Sequence, residues 1–485
     1  MFPVCMALDV CGYESSRWWD LDHMDYYRAA ACRKPGLLLN YFRIGQNLDT
    51  REGGEKFFRY ATAYGLFPSI GRFTDEAYEK FGDLQHLYVP IVKQLFRAGW
   101  EPMTWAEADD AAVRVQRFGT GLPMYFTLLN PEPTPRAATL SIDTRRLGIN
   151  RPLRAVEMVS SSSLPITKTG GRLSTQVALG PDDVAVVVLL PADGVGGWYR
   201  ERAAESLQGA AYVYAQTPPT VAAAELGKRL RNVGRGMTAA EVAKAVGQIK
   251  DAVARLVREA STLPDDLKRV SYLRELAAAE RWLNESLLAD AGGQVGWAAS
   301  LVAPVDGEVR LVPAAFSGGG RVRFTRLRAW PGRLVEPPPG DGSLGLGAGG
   351  RCRCPTERVV TAVAEVEFTD AAGAKITLSR RAHAFFTPVC ELVLQAEPEP
   401  KAVLVRLRNA DRQPRVFSLA LQAPPGVLVE PASARVRLAD GATEELAAKV
   451  AFGAGLPSGS YPLSVTVRTD RGATVECREV VLLHI

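Results

Sequence analysis

The stretch Lys34-Pro-Gly-Leu-Leu-Leu-Asn-Tyr-Phe-Arg43 decides how the front of the chain folds. Pro35 interrupts any helix before it, and Gly36 to Phe42 is then an apolar run of strand length. The same unit recurs on both sides. Upstream, Val4 to Leu8 reads as a buried strand ending at Asp9. A loop rich in Gly, Glu, Ser and Trp follows, and a helix starts near Asp20, whose carboxylate can cap free backbone N–H groups. Downstream, a helix from Gly54 to Tyr64 stops at Gly65, and Leu66 to Ile70 is a third strand. A third helix runs from Thr74 to Ala98, with breaks expected near Gly82 and Pro90, and stops at Gly99.

Short apolar strands alternating with amphipathic helices predict a parallel sheet, with its functional residues in the loops after the strands. Three such units fall short of the eight that close a barrel. Residues 1–105 therefore read as the last three βα units of a partial (β/α) barrel. A domain that opens in mid-core is expected to lack its beginning; the alternative is a short protein that starts on a strand.

The remainder reads as separate blocks, giving a multidomain α/β plus all-β chain. Residues 106–215 form an antiparallel β domain, with strands at Val113 to Phe118, Met124 to Leu129, Ala137 to Ile142 and Asp183 to Leu190. Residues 216–292 form a helical hairpin region. Its first helix opens on the capping box Thr238-Ala-Ala-Glu241 and carries Val242, Val246, Ile249, Val253, Leu256 and Val257 at helical spacing. Pro264-Asp-Asp266 restarts the second helix. Residues 293–396 are β-sandwich-like, interrupted by a Gly/Pro-rich excursion from Glu336 to Gly350. Residues 397–485 show about seven short alternating strands, the pattern of an immunoglobulin-like sandwich.

Composition narrows the function. The chain has 485 residues and a net charge of +5, too weak for a protein dominated by phosphate-backbone binding, so no nucleic-acid partner is expected. Mean hydropathy is −0.03, and no apolar run is long enough for a membrane-spanning helix. The first residues lack the basic start and cleavage site of a signal peptide. Localisation stays open: extracellular or periplasmic if a missing N-terminus carried a signal peptide, otherwise cytoplasmic. The 7 cysteines are too few for a disulfide scaffold, Cys352-Arg-Cys354 has the wrong spacing for zinc, and the 4 histidines are scattered. No metal and no cofactor is expected, and oligomeric state is not readable.

What chemistry there is lies at the front. Of the chain's 17 Phe, 8 Trp and 14 Tyr, 20 fall within residues 1–105. Trp18 and Trp19 stand in a loop beside Asp9, Glu14, Arg17, Asp20 and Asp22. Flat apolar rings next to carboxylates suit a sugar, whose C–H faces stack on the ring while its hydroxyls donate to the acids. Glycoside hydrolysis needs two carboxyl groups about 5 to 9.5 Å apart, and Asp9 and Glu14 are the best-placed acids. Trp18, Trp19, Asn40, Tyr41 and Arg43 are the candidate substrate-binding residues. Asp20 and Asp22 also read as helix-start acids favoured by the dipole, and Asn40 and Tyr41 equally as structural polar groups.

Gly65-Leu-Phe-Pro-Ser-Ile70, followed by a helix ending Tyr88-Val-Pro-Ile-Val-Lys-Gln-Leu-Phe-Arg-Ala-Gly-Trp-Glu-Pro102, resembles the end of a glycoside-hydrolase-type TIM barrel. Val115-Gln-Arg-Phe-Gly119, Tyr125 to Pro131 and Ala137 to Asp143 are similar to the β domain that commonly follows such barrels. Trp18-Trp-Asp20 with Tyr26-Tyr-Arg28 is similar to a loop–helix segment of large bacterial proteins of this kind. The resemblance spans about residues 1–190. It implies the C-terminal portion of a glycosidase-like protein that acts on or binds poly- or oligosaccharide. Such a portion is inactive by itself, because the acid/base after the fourth barrel strand is missing and only Asp9 or Glu14 could be inherited. If an enzyme, it would be a hydrolase of O-glycosyl bonds. Two rivals remain: a non-catalytic glycan-binding adhesion or scaffold protein, and an enzyme of another class that shares only the barrel ending.

Overall fold

The computed structural model describes residues 11–14, 18–41, 48, 50–71, 75–213, 218–234, 236–263, 266–305, 308–330, 334–336, 351–353, 359–371, 373–385, 390–397, 402–410, 413–453, 456, 460–469 and 475–484. It divides into two compact units, 1–297 with 315–323 and 365–381, and 298–314 with 324–364 and 382–485.

The first unit opens with β1 (Cys11–Glu14), α1 (Leu21–Ala31), β2 (Gly36–Tyr41), α2 (Arg51–Ala63), β3 (Leu66–Gly71) and α3 (Asp75–Ala98). The strands form a three-stranded parallel sheet in the order β1-β2-β3, and among the described residues there is no closed barrel. The strand expected over Val4 to Leu8 lies outside the described residues. Cys11–Glu14, expected in the loop, is instead a strand. Its period-two signal, with Cys11 and Tyr13 buried and Gly12 exposed, is too short to stand out in a glycine-containing segment. The break expected in the third helix does not occur: α3 runs through Gly82 and Pro90. Tyr88, Ile91, Val92 and Leu95 anchor it in the core on either side of the proline, which sits on the exposed face.

Behind this layer stand two antiparallel sheets. Their strands are β4 (Trp100–Glu101), β5 (Ala106–Ala108), β6 (Arg114–Phe118), β7 (Met124–Asn130), β8 (Arg136–Asp143), β9 (Leu153–Glu157), β10 (Ser162–Leu164), β11 (Thr167–Thr169), β12 (Arg172–Leu179) and β13 (Asp183–Pro191). The orders are β10-β9-β13-β7-β6-β4 and β11-β12-β8-β5. Strand β7 is buried at every position. Met124, Phe126 and Leu128 face Leu140, Ile142 and Val177 of the other sheet. Tyr125 and Leu129 belong with Phe57 and Phe58 to the core shared with the α/β layer. A strand covered on both faces reads as a continuous apolar run, which is why β7 and β13 were legible.

Helix α2 is fastened to this sheet. The Thr127 hydroxyl donates to the Ala63 carbonyl (2.6 Å) and the Tyr60 hydroxyl to Asp182 (2.9 Å). Lys56 pairs with Asp182 at 2.8 Å and Arg59 with Asp183 at 3.4 Å.

Four further helices follow: α4 (Val195–Val213), α5 (Pro218–Arg231), α6 (Ala239–Glu259) and α7 (Leu267–Asp290). Helix α4 was not expected. Its buried face carries Val195, Tyr199 and Leu207 but also Gly196, Arg202 and three alanines, so its apolar stripe is interrupted by small and charged residues. The capping box of α6 is present, with Glu241 accepting from the Thr238 N–H at 2.8 Å. The apolar stripe of α6 is buried except for Val257. Asp266 caps α7 by accepting from the Arg269 N–H at 2.9 Å.

In the second unit the chain ends in two four-stranded antiparallel sheets over one apolar core containing Val405, Phe417, Leu419, Leu463 and Val465. Among the described residues from Ala402 onward there are seven strands, and Cys390–Glu397 adds an eighth. Most of the Gly/Pro-rich excursion, 337–350, lies outside the described residues.

Candidate functional site

The parallel register sets the carboxyl edge of the first sheet. Glu14 lies opposite Leu39, Asn40 opposite Ile70 and Tyr41 opposite Gly71. The backbones of Glu14, Asn40 and Tyr41 thus end side by side on the edge where parallel sheets carry their sites. Asp9 and Arg43 lie outside the described residues.

The loop that leaves β1 separates the two tryptophans. Trp18 is 1% exposed, with Phe57 and Tyr60 meeting it edge-on at 5.4 and 5.9 Å. Trp19 stands nearly perpendicular to it, at 84° and 5.5 Å, and is 44% exposed. The sequence places both in the loop; the fold gives Trp18 to the core and leaves Trp19 an open ring face.

Asp20 follows at once as the N-cap of α1. Its Oδ1 accepts from the N–H groups of Asp22 (3.1 Å) and His23 (3.3 Å), and its Oδ2 lies 2.9 Å from His23 Nδ1. Desolvation acts against ionisation, but the His23 and Asp22 hydrogen bonds outweigh it and hold the carboxyl below its ordinary range. Beyond the cap, Asp22 and Tyr26 lie four residues apart and exposed on one face of α1. Tyr27 behind them stacks on Tyr13 of β1, with centroids 4.5 Å apart and planes 20° from parallel. Trp19, Asp22 and Tyr26 are therefore three exposed side chains within eight residues at the start of α1, a stretch called the ledge below.

Arg28 secures the ledge from below, a role with no sequence signal. The side chain is buried, and its guanidinium donates to the carbonyls of Tyr64 and Gly65 (3.3 Å each), of Lys34 (3.0 Å) and of Cys32. It ties the end of α1 to the turn that enters β3. Burial pushes its pKa down to about 10, partly opposed by Tyr13, Cys32 and Cys11.

A cavity of about 300 Å³ lies elsewhere, at the C-terminal end of α3, lined by Gln94, Arg97, Thr120, Leu122, Pro123 and Tyr125. None of the residues singled out from the sequence borders it. Among the described residues no group of three His, Cys, Asp or Glu side chains is gathered for a metal, and no helix is long and apolar enough to cross a membrane.

No protein-family model and no curated protein matches this chain. Among solved structures it shows a low similarity to a glycoside hydrolase family 30 subfamily 8 xylanase, Xyn30A, from Clostridium acetobutylicum. There the TM-score is 0.20 at 11% identity, over 34% of this chain and 44% of that one. Red sea bream transglutaminase gives a TM-score of 0.18 at 13% identity, over 39% and 31% of the two chains. The CFA/I adhesin CfaE of enterotoxigenic E. coli gives 0.12 at 8% identity, over 38% and 80%. The chain spans less than half the length of the first two. A glycoside hydrolase and a β-rich adhesin are thus among its distant neighbours, at TM-scores that carry no argument about fold or activity.

Proposed function

We propose that this chain binds poly- or oligosaccharide as part of a carbohydrate-active, glycosidase-like protein, and does not hydrolyse glycosides by itself. The observation that carries the reading is the ledge. Trp19 is exposed just before α1, Asp22 is exposed in the first turn of that helix, and Tyr26 is exposed one turn further along it. A pyranose offers just such a surface its C–H face for stacking and its hydroxyls for donation. The rings are held by Trp18 and by the Tyr13–Tyr27 stack, so little ordering entropy is lost on binding. Asn40, at the end of β2, would reach hydroxyls further along the sugar chain.

The reading without hydrolysis rests on the acids described. Among the described residues the parallel sheet has three strands, and the candidate acids lie in one loop and the helix after it, whereas a glycosidase needs carboxyl groups on both sides of the bond. The rival reading, a non-catalytic adhesion or scaffold protein, draws on the same ledge and on the terminal pair of antiparallel sheets.

The test is a glycan array followed by calorimetry on the full chain. Binding to at least one glycan class is expected, with Trp19→Ala weakening it tenfold or more. Retention of full affinity by Trp19→Ala would overturn the ledge as the site. Turnover of aryl glycosides by this chain would overturn the statement that it does not hydrolyse them.

A further inference from the structure

A second group of side chains lies where α3 meets α7, within the first unit, and the glycan reading makes no use of it. Ser271 Oγ stands 3.5 Å from His86 Nε2. On the other side of the ring, His86 Nδ1 stands 3.5 Å from Glu275 Oε1. The Tyr78 hydroxyl shares Nε2 at 3.2 Å. The His86 and Glu275 side chains are 21% and 22% exposed, so the cluster is open to solvent on one side.

Helical spacing explains the assembly. Tyr78, Gly82 and His86 recur every four residues along one face of α3. Ser271, Arg274 and Glu275 stand at i, i+3 and i+4 on α7. Gly82 makes room between the helices: a Cβ there would sit 2.5 Å from Arg274 Nη1. The Arg274 guanidinium lies over the Tyr78 ring, 5.3 Å from its centroid. Its Nη1 is buried and donates to no acceptor among the described residues. The Arg274 cation is thus held on α7 one turn from Ser271.

The geometry points to a hydrolytic site in which Ser271 is the nucleophile, His86 the general base and Glu275 the group that orients the base, acting on esters of short carboxylic acids. With its Nδ1–H directed at Glu275, the imidazole has one lone pair at Nε2, which the Tyr78 hydroxyl at 3.2 Å gives up as Ser271 reacts. As Ser271 Oγ bonds to the ester carbonyl carbon, its proton passes to Nε2. The developing oxyanion is stabilised by the positive charge of Arg274, one turn along α7 from Ser271. Collapse breaks the bond to the alcohol oxygen, and that oxygen takes the proton from Nε2. A water then repeats the sequence on the acyl-serine, releasing the acid and restoring the Ser271 hydroxyl. Separations of 3.5 Å suit a resting site that tightens on substrate. The groups stand on two helix faces, which suits a short acyl group such as acetyl.

The experiment uses the full chain with a fluorophosphonate probe and with p-nitrophenyl acetate. The expected result is a covalent adduct on the peptide that carries Ser271. Ser271→Ala is expected to abolish the adduct, and both it and His86→Gln to lower ester hydrolysis about 100-fold. Circular dichroism confirms that the variants remain folded. No adduct at Ser271 in the unmodified protein would overturn the proposal, a result that does not depend on how any variant folds. A folded Ser271→Ala protein that hydrolyses the ester at the original rate would overturn it equally. This site is independent of the glycan ledge, so the fate of either reading leaves the other standing.

Discussion

Glu285 of α7 and Arg380 of the strand Lys375–Phe385 form a bidentate ion pair sealed inside the first unit, with side chains 1% and 0% exposed. Arg380 Nη2 donates to Glu285 Oε2 at 3.0 Å, its Nη1 to Oε1, and its Nε to the Val295 carbonyl at 3.0 Å. The pair stitches chain segments 95 residues apart into one core. Two charges removed from water are stable only while each satisfies the other. Glu285→Ala should therefore destabilise the first unit by about 3–5 kcal/mol, because it strands the guanidinium. Replacing both residues, as Glu285→Leu with Arg380→Met, should restore much of that loss. Urea unfolding followed by tryptophan fluorescence measures both, and a double variant weaker than the single one would refute the account.

The adjacent tryptophans give a paired prediction. Trp18 is enclosed by Phe57 and Tyr60, so Trp18→Ala leaves a cavity and should cost about 3–5 kcal/mol of stability. Trp19 is 44% exposed, so Trp19→Ala should change stability by no more than about 0.5 kcal/mol while removing glycan affinity. Thermal melts and calorimetric titrations of the two variants should give opposite orders of damage.

Asp83 of α3 bridges to Arg51 at the start of α2, with both of its oxygens accepting at 2.6 Å. Desolvation opposes ionisation, but the Arg51 hydrogen bonds and charge prevail and hold Asp83 below its ordinary pKa. Its folded pKa thus lies below the unfolded one, so the contribution to stability is present above about pH 3.9 and is lost as pH falls through the folded value. The pair is about half exposed, at 42% and 52%, and solvent screening reduces its worth. Asp83→Asn should cost under about 1 kcal/mol at neutral pH, and the difference from the unmodified protein should vanish near pH 2 or in high salt. Denaturation curves at both pH values check the sign.

How far the chain could be read in advance follows from how each element is buried. Strands β2, β3, β7 and β13 are covered on their faces and bounded by Pro or Gly, so their apolar runs were visible. Helix α4 was not, because glycine, arginine and three alanines interrupt the large apolar residues on its inward face. The same limit applied at the ledge: two neighbouring tryptophans have identical chemistry, and only the turn before Asp20 decides which ring enters the core. Arg28 gave no signal, since its partners are backbone carbonyls from two separate turns. Ser271 and His86 are 185 residues apart in the chain, and only the packing of α3 on α7 unites them.

Gly65 illustrates a residue whose role was legible in kind but not in full. It stops α2 with φ +59°, the left-handed conformation that favours glycine. The structure adds a second constraint, because a Cβ there would lie 2.5 Å from the Phe118 ring, which is itself 1% exposed. Its carbonyl also receives the Arg28 guanidinium, so this turn joins α1, α2, β3 and β6. Gly65→Ala combines left-handed strain of about 1–2 kcal/mol with overpacking of about 1–3 kcal/mol. The expected loss is about 2–5 kcal/mol, and the additional variant Phe118→Leu should recover part of it by yielding space. If the double variant is no more stable than Gly65→Ala alone in urea denaturation, backbone strain is the whole effect and the ring contact contributes nothing.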